Sequence, residues 1–196
     1  MLSKSAFSLL TIVIGLTSGA FHEAAIAADK PPLLSRDAWG AKKPIPRRMK
    51  RMIPREIIIH HTAIKQQRHL SLERKMRGLQ SYSQRTKRWG DAPYHFYIGQ
   101  SGRTAVARPI AYAGDTNTRY SVKNRIMIVL EGHFDKERPK PAQLKALRKL
   151  VAWLASKYKI AGTRLSGHND HTPTSCPGRT LKAYLPELRM IADRMQ

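Results

Sequence analysis

Two uninterrupted apolar runs, Ile57–Ile58–Ile59 and Ile126–Met127–Ile128–Val129–Leu130, constrain this chain more than any other feature. A strand with one wet face alternates apolar and polar side chains, whereas a strand covered on both faces reads as a continuous apolar run. Two such strands need helices on both sides of a sheet, so the pattern is α/β. Around them, Tyr94–Gly99 and Thr104–Arg108 read as a hairpin turning at Ser101–Gly102, and Thr163–Ser166 as a short strand. Leu72, Met76, Leu79 and Tyr82 recur at helical spacing and predict a helix from about Leu70 to Arg88, stopped by Gly90. Pro141 opens a second helix with Leu144, Leu147, Val151, Leu154 and Tyr158 on one face. A last helix turns Leu185, Leu188, Ile191 and Met195 inward.

The first 27 residues stand apart. Lys4 precedes a nearly uncharged stretch from Ala6 to Ala20, and Ala25–Ile26–Ala27 follows with small residues two apart. This is the layout of a secretory signal peptide over residues 1–27. A membrane anchor is the rival, but the apolar run is shorter than the roughly 20 residues a comfortable span needs. Export then implies periplasm or medium. Residues 28–55 are rich in Pro, Lys and Arg and read as an extended basic arm tethered by Trp39. Residues 56–196 form the main domain. Lys4 and Glu23 cancel within the signal, so the whole net charge of +23 belongs to the mature chain. Such a balance favours polyanionic partners, including cell-wall polymers, anionic lipid surfaces and nucleic acid. No nucleic-acid motif and no aromatic interleaving accompany the charge, which turns the reading away from nucleic acid.

Cys176 is the single cysteine, so no internal disulfide exists, and a lone thiol in an exported protein calls for a role. A buried, inert Cys is one answer and a metal-bound thiolate is another. A catalytic zinc site takes three protein ligands and keeps one position open. His60 ends the first buried strand. His168 and Cys176 close the Thr-, Pro- and Ser-rich loop that runs from Gly167 to Gly178. A loop brings its two ends to one ion, as an extended strand does not. His60 and His61 point to opposite faces of their strand, so only one easily joins the same ion. His168 and His171 each have a plainer reading as hydrogen-bonders within the loop.

With these residues in view, the chain resembles the type 2 N-acetylmuramoyl-L-alanine amidases, the family that includes the peptidoglycan recognition proteins. The resemblance runs in family order over about residues 33–190. It is carried by Ser35–Arg36 with Trp39–Gly40–Ala41, Ile57–Ala63, Tyr94–His95–Phe96 with Ile98–Gly99, Asn124 with Ile126–Ile128, Pro141–Gln143, and Gly167–His168 through Cys176–Pro177–Gly178. It implies a central mixed β-sheet of about five or six strands flanked by three helices. It implies zinc held by His60, His168 and Cys176, and hydrolysis of the lactyl–L-alanine amide of peptidoglycan. By the same resemblance Tyr94 bonds the water or the developing oxyanion, and Thr174 helps hold the substrate carbonyl. Peptidoglycan is the expected partner, with anionic envelope polymers engaging the basic surface, no nucleic acid, no stable membrane span and a monomeric state.

Some positions depart from the family pattern. A core-strand glutamate of several bacterial members falls near Val129, and here Glu131 follows two residues later, either as a base or as a strand-end charge. Tyr112 stands where the family carries a substrate-contacting His. Asp115 and Asn117 read equally as groove contacts or turn formers. Two other function classes compete with hydrolysis. One is a peptidoglycan-binding module that does not cut. The other is a polyanion-binding protein with a purely structural metal.

Overall fold

The computed structural model describes residues 28–65 and 69–196. The segment read as a signal peptide lies outside the described residues. A six-stranded sheet runs through the domain. Its strands are β1 (Leu33–Leu34), β2 (Glu56–His61), β3 (Phe96–Ile98), β4 (Thr104–Val106), β5 (Arg125–Leu130) and β6 (Leu165–Gly167). Their spatial order is β1-β4-β3-β5-β2-β6, and only the β3–β4 hairpin is antiparallel. The sheet is therefore mixed, as the family resemblance implies.

The two apolar runs sit side by side at its centre. β2 and β5 pair in parallel from Glu56 opposite Arg125 to His61 opposite Leu130. One face of this pair, carrying Ile57, Ile59, Ile126 and Ile128, is covered by α2 (Pro141–Tyr158) and α4 (Leu185–Asp193) through Leu147, Leu150, Val151, Leu154 and Leu188. The other face, carrying Tyr97 and Val129, is covered by α1 (Leu72–Arg85) through Leu72 and Met76, together with Trp39. A single helical turn, α3 (Arg179–Lys182), follows the cysteine loop. Covering on both faces is the condition that selected continuous apolar strands over alternating ones.

Local differences from the sequence reading have physical causes. The strand expected from Tyr94 begins two residues later, because Met127 N–H bonds the His95 ring Nδ1 at 2.8 Å instead of a backbone carbonyl. α1 ends at Arg85, and the chain then turns to pass Gly90. A Cβ at Gly90 would lie 2.3 Å from Met49 Cγ, so glycine there serves close passage of the basic arm more than helix termination. The inward stripe of α1 also divides. Leu72 and Met76 are buried, whereas Tyr82 is 50% exposed.

The arm from residue 28 lies along the domain and contributes β1 to the sheet edge, pairing with β4. Trp39 is fully buried, and its indole N–H donates to the Val106 carbonyl at 2.8 Å. Met52 N–H and Ala113 N–H exchange bonds with the chain around Ala111 and Lys50, which fixes the second half of the arm. Removing a buried indole loses its apolar contacts and orphans a carbonyl. Trp39→Ala is expected to destabilise the protein by about 3–5 kcal/mol, read as a lowered urea midpoint. A change below about 1 kcal/mol would show the arm to be dispensable.

Candidate metal centre

The site begins with strand register. β2 pairs with β6 in parallel, Ile59 opposite Gly167, so the next residues on the two strands, His60 and His168, emerge side by side. Their ring centroids are 4.6 Å apart. The chain then leaves β6 and returns: Asn169 N–H bonds the Cys176 carbonyl at 2.8 Å and closes the loop. The His61 N–H points at Cys176 Sγ from 3.4 Å. After the cysteine, Gly178 takes φ +90°, and a Cβ there would meet the Phe134 backbone at 2.6 Å. Only glycine permits that turn so close to a neighbouring chain segment.

One donor atom from each of His60, His168 and Cys176 lies within 4.8 Å of the others. His60 Nδ1 and Cys176 Sγ are 3.6 Å apart. A tetrahedral zinc with sulfur at about 2.3 Å and nitrogen at about 2.0 Å would hold such atoms roughly 3.5 Å apart. The remaining ring nitrogens are engaged by hydroxyls. Thr118 Oγ1 is 2.7 Å from His168 Nε2, and Tyr120 OH is 3.4 Å from His60 Nε2. His60 turns Nδ1 toward the cysteine, and both rings are held through Nε2, the usual outer support of a ligating imidazole. Burial holds His60 well below its ordinary pKa and lowers His168 to about 4, so both rings are neutral and carry free lone pairs. Burial raises the Cys176 thiol to about 12, so a cation that binds must displace its proton. Two neutral imidazoles and a thiol in this geometry fit a zinc ion with one open position.

The trio lies in a groove of about 300 Å³. Tyr94 lines it, its ring 5.2 Å from that of His60, and burial raises its phenol pKa above the ordinary value, so it stays a donor. Thr174 also lines it. Its oxygen accepts the Cys176 N–H at 3.3 Å, which leaves its own hydroxyl proton to point elsewhere. Leu79 and Tyr82 of α1 and Trp89 form an aromatic and apolar wall. Asp115 and Asn117 line the groove as well, with Asp115 ion-paired to the buried Arg108.

Other residues singled out in the sequence lie elsewhere. Glu131 is bound to Lys75 at 2.7 Å and to Gln100 at 3.1 Å, at the end of β5 beside the start of α1. It does not line the groove, and its position is that of a strand-end charge. Tyr112 is likewise not among the lining residues, and its ring sits under the Arg51 guanidinium of the basic arm. His171 bonds Ser166 Oγ at 2.7 Å and stacks on Tyr120, so it serves the loop. Thr118 and Tyr120 were not legible in the sequence. They carry no motif, and only folding brings their segment over the two histidines. If Thr118 orients His168, Thr118→Val should weaken zinc affinity about 10–100-fold in a chelator competition, with the fold intact. Unchanged affinity would remove that role.

Comparison with known proteins agrees with this geometry. The family model described as N-acetylmuramoyl-L-alanine amidase matches residues 50–179. Peptidoglycan-recognition protein SD of Drosophila simulans is 26% identical over 94% of this chain and 97% of its own length. The endolysin of Enterobacteria phage T3 is 30% identical over 54% of this chain and 71% of the endolysin. A crystal structure of peptidoglycan recognition protein-LE, in complex with the monomeric diaminopimelic acid-type peptidoglycan called tracheal cytotoxin, superposes with a TM-score of 0.69. It is 27% identical, across 79% of this chain and 92% of that one. The matched span takes in both groove histidines and the cysteine, and the chain belongs to the N-acetylmuramoyl-L-alanine amidase family.

Proposed function

We propose that this protein is an exported, zinc-dependent N-acetylmuramoyl-L-alanine amidase that cleaves the lactyl–L-alanine amide of peptidoglycan. The observation that carries the reading is the closeness of His60, His168 and Cys176 at one side of an open groove that Tyr94 and Thr174 also line. A similarly folded relative in complex with a monomeric peptidoglycan, tracheal cytotoxin, supports the substrate class.

The amide is unactivated, so the site must supply both a nucleophile and charge stabilisation. His60, His168 and Cys176 would hold a zinc ion, which would supply Lewis acidity and a water acidic enough to ionise near neutral pH. The protein's own groups do the rest. Thr118 and Tyr120 hold the two imidazoles through Nε2 beside the loop cysteine. The Tyr94 phenol, kept protonated, is a donor for the oxygen that gains charge when the carbonyl becomes tetrahedral. The Thr174 hydroxyl is a second such donor, already tied to the cysteine loop. One preorganised donor of this kind contributes about 10²–10³-fold in rate. The wall of Leu79, Tyr82 and Trp89 holds the rest of the substrate and turns its scissile end toward the histidines.

Export rests on residues 1–27 and would deliver the enzyme to the periplasm or the medium. Among the described residues, no helix is long and apolar enough to cross a membrane. The excess of basic side chains is read as adhesion to anionic envelope polymers, with the enzyme working as a monomer. Binding to purified sacculi should then weaken steadily as salt rises, and salt-independent binding would end that idea.

The competing reading is a recognition module that binds the wall without cutting it. The thiolate ligand favours hydrolysis, because a binding groove has no need of a third metal donor. Purified protein incubated with intact sacculi should release peptides bearing new N-terminal L-alanine. Cys176→Ala should abolish that release and retain wall binding, as should zinc chelation. Salt-sensitive binding with no new ends from the wild type would establish the recognition module instead.

A further inference from the structure

We propose that His61, His133 and Asp135 form a second divalent-cation site, on the face of β2 opposite the groove. The strand end explains the separation. His60 faces the groove, so His61 faces the layer packed by α2 and α4 and meets the loop that follows β5. One donor atom from each of the three residues lies within 4.8 Å of the others. Two imidazoles and one carboxylate are a ligand set that takes zinc, cobalt, iron(II) or manganese.

The second observation is independent of that clustering. His133 Nδ1 and Asp135 Oδ2 are both shielded from solvent, and neither has a hydrogen-bond partner. They face each other at 3.9 Å. Shielded polar atoms without partners are uncommon and costly, and a cation between these two satisfies both. The carboxylate is already fixed: its Oδ1 accepts the Arg179 N–H at 2.9 Å, and the Ser175 side chain also bonds the group. That same N–H holds Asp135 below its ordinary pKa, so the group is ionised. His61 Nδ1 accepts the Phe134 N–H at a long 3.3 Å, and binding through the ring loosens this one contact. Phe134 lies between the other two ligands in the same loop, which begins at Gly132 with φ +147°, so the adjustment is local.

Occupancy here would reach the groove indirectly. The Phe134 carbonyl accepts the Thr180 N–H and hydroxyl, and Asp135 accepts Arg179 N–H. These bonds grip the segment just after Cys176. A cation that joins the loop to the end of β2 would stiffen the turn that holds the thiol.

Cobalt(II) titration of the untagged, metal-stripped protein tests this directly. The expected result is two equivalents. One gives the thiolate-to-cobalt charge-transfer band of Cys176, and the other gives ligand-field bands alone. Cys176→Ala should lose the first signature and keep the second. His133→Ala and the milder Asp135→Asn should keep the first and lower the affinity of the second at least tenfold, with unchanged circular dichroism. Saturation at one thiolate-bound equivalent would overturn the proposal. So would a second equivalent that persists in both loop variants or disappears with Cys176→Ala.

Discussion

The parallel pairing of β2 with β6 is the interaction on which the site depends. Ile59 sits opposite Gly167, and in a parallel pair the next residues share a face at the strand spacing of about 4.8 Å. That spacing brings His60 and His168 within ligand distance of a common point, although 107 residues separate them in the chain. A slip of one residue would turn one ring into the apolar layer and destroy the site. The register is protected by its neighbour. β2 is locked to β5 over six consecutive residues whose side chains fill the core on both faces.

Both faces of β2 being covered also explains how the two adjacent histidines live in different surroundings. On the α1 side the cover is incomplete. Trp39, Leu72 and Met76 pack the near part of the sheet, while Leu79 at the edge of that cluster and the half-exposed Tyr82 wall the groove. On the α2 and α4 side the packing is continuous until the strand ends, where the His61 ring meets His133 and Phe134 of the loop after β5. A single dipeptide thus serves an open groove with one ring and an inner loop with the other.

Burial in this protein sets protonation for metal binding more than for acid–base work. Desolvation keeps His60 and His168 neutral, which suits them to donate lone pairs, and keeps Cys176 protonated until a cation takes its place. The same cause keeps Tyr94 a donor. Glu131, the only glutamate the sequence offered as a base, is held by Lys75 and Gln100 away from the groove. Under the proposed amidase function, proton chemistry in the groove would fall to Tyr94 and Thr174 and not to a glutamate of this strand.

The sequence by itself determined the layered α/β class, the central strands and three principal helices, because buried strands and amphipathic helices write their burial into residue order. It also singled out His60, His168 and Cys176 as a candidate ligand set, through their places at a strand end and a loop closure taken together with the family resemblance. Strand alternation separates the rings of His60 and His61 and the family resemblance names His60, but only the tertiary structure shows its ring beside the loop cysteine. Tertiary structure alone decided that Glu131 turns from the groove and that Thr118 and Tyr120 orient the rings. It alone brought His133 and Asp135 to His61. These contacts join segments far apart in the chain, and their spacing in sequence carries no period or motif from which the register of the sheet can be read.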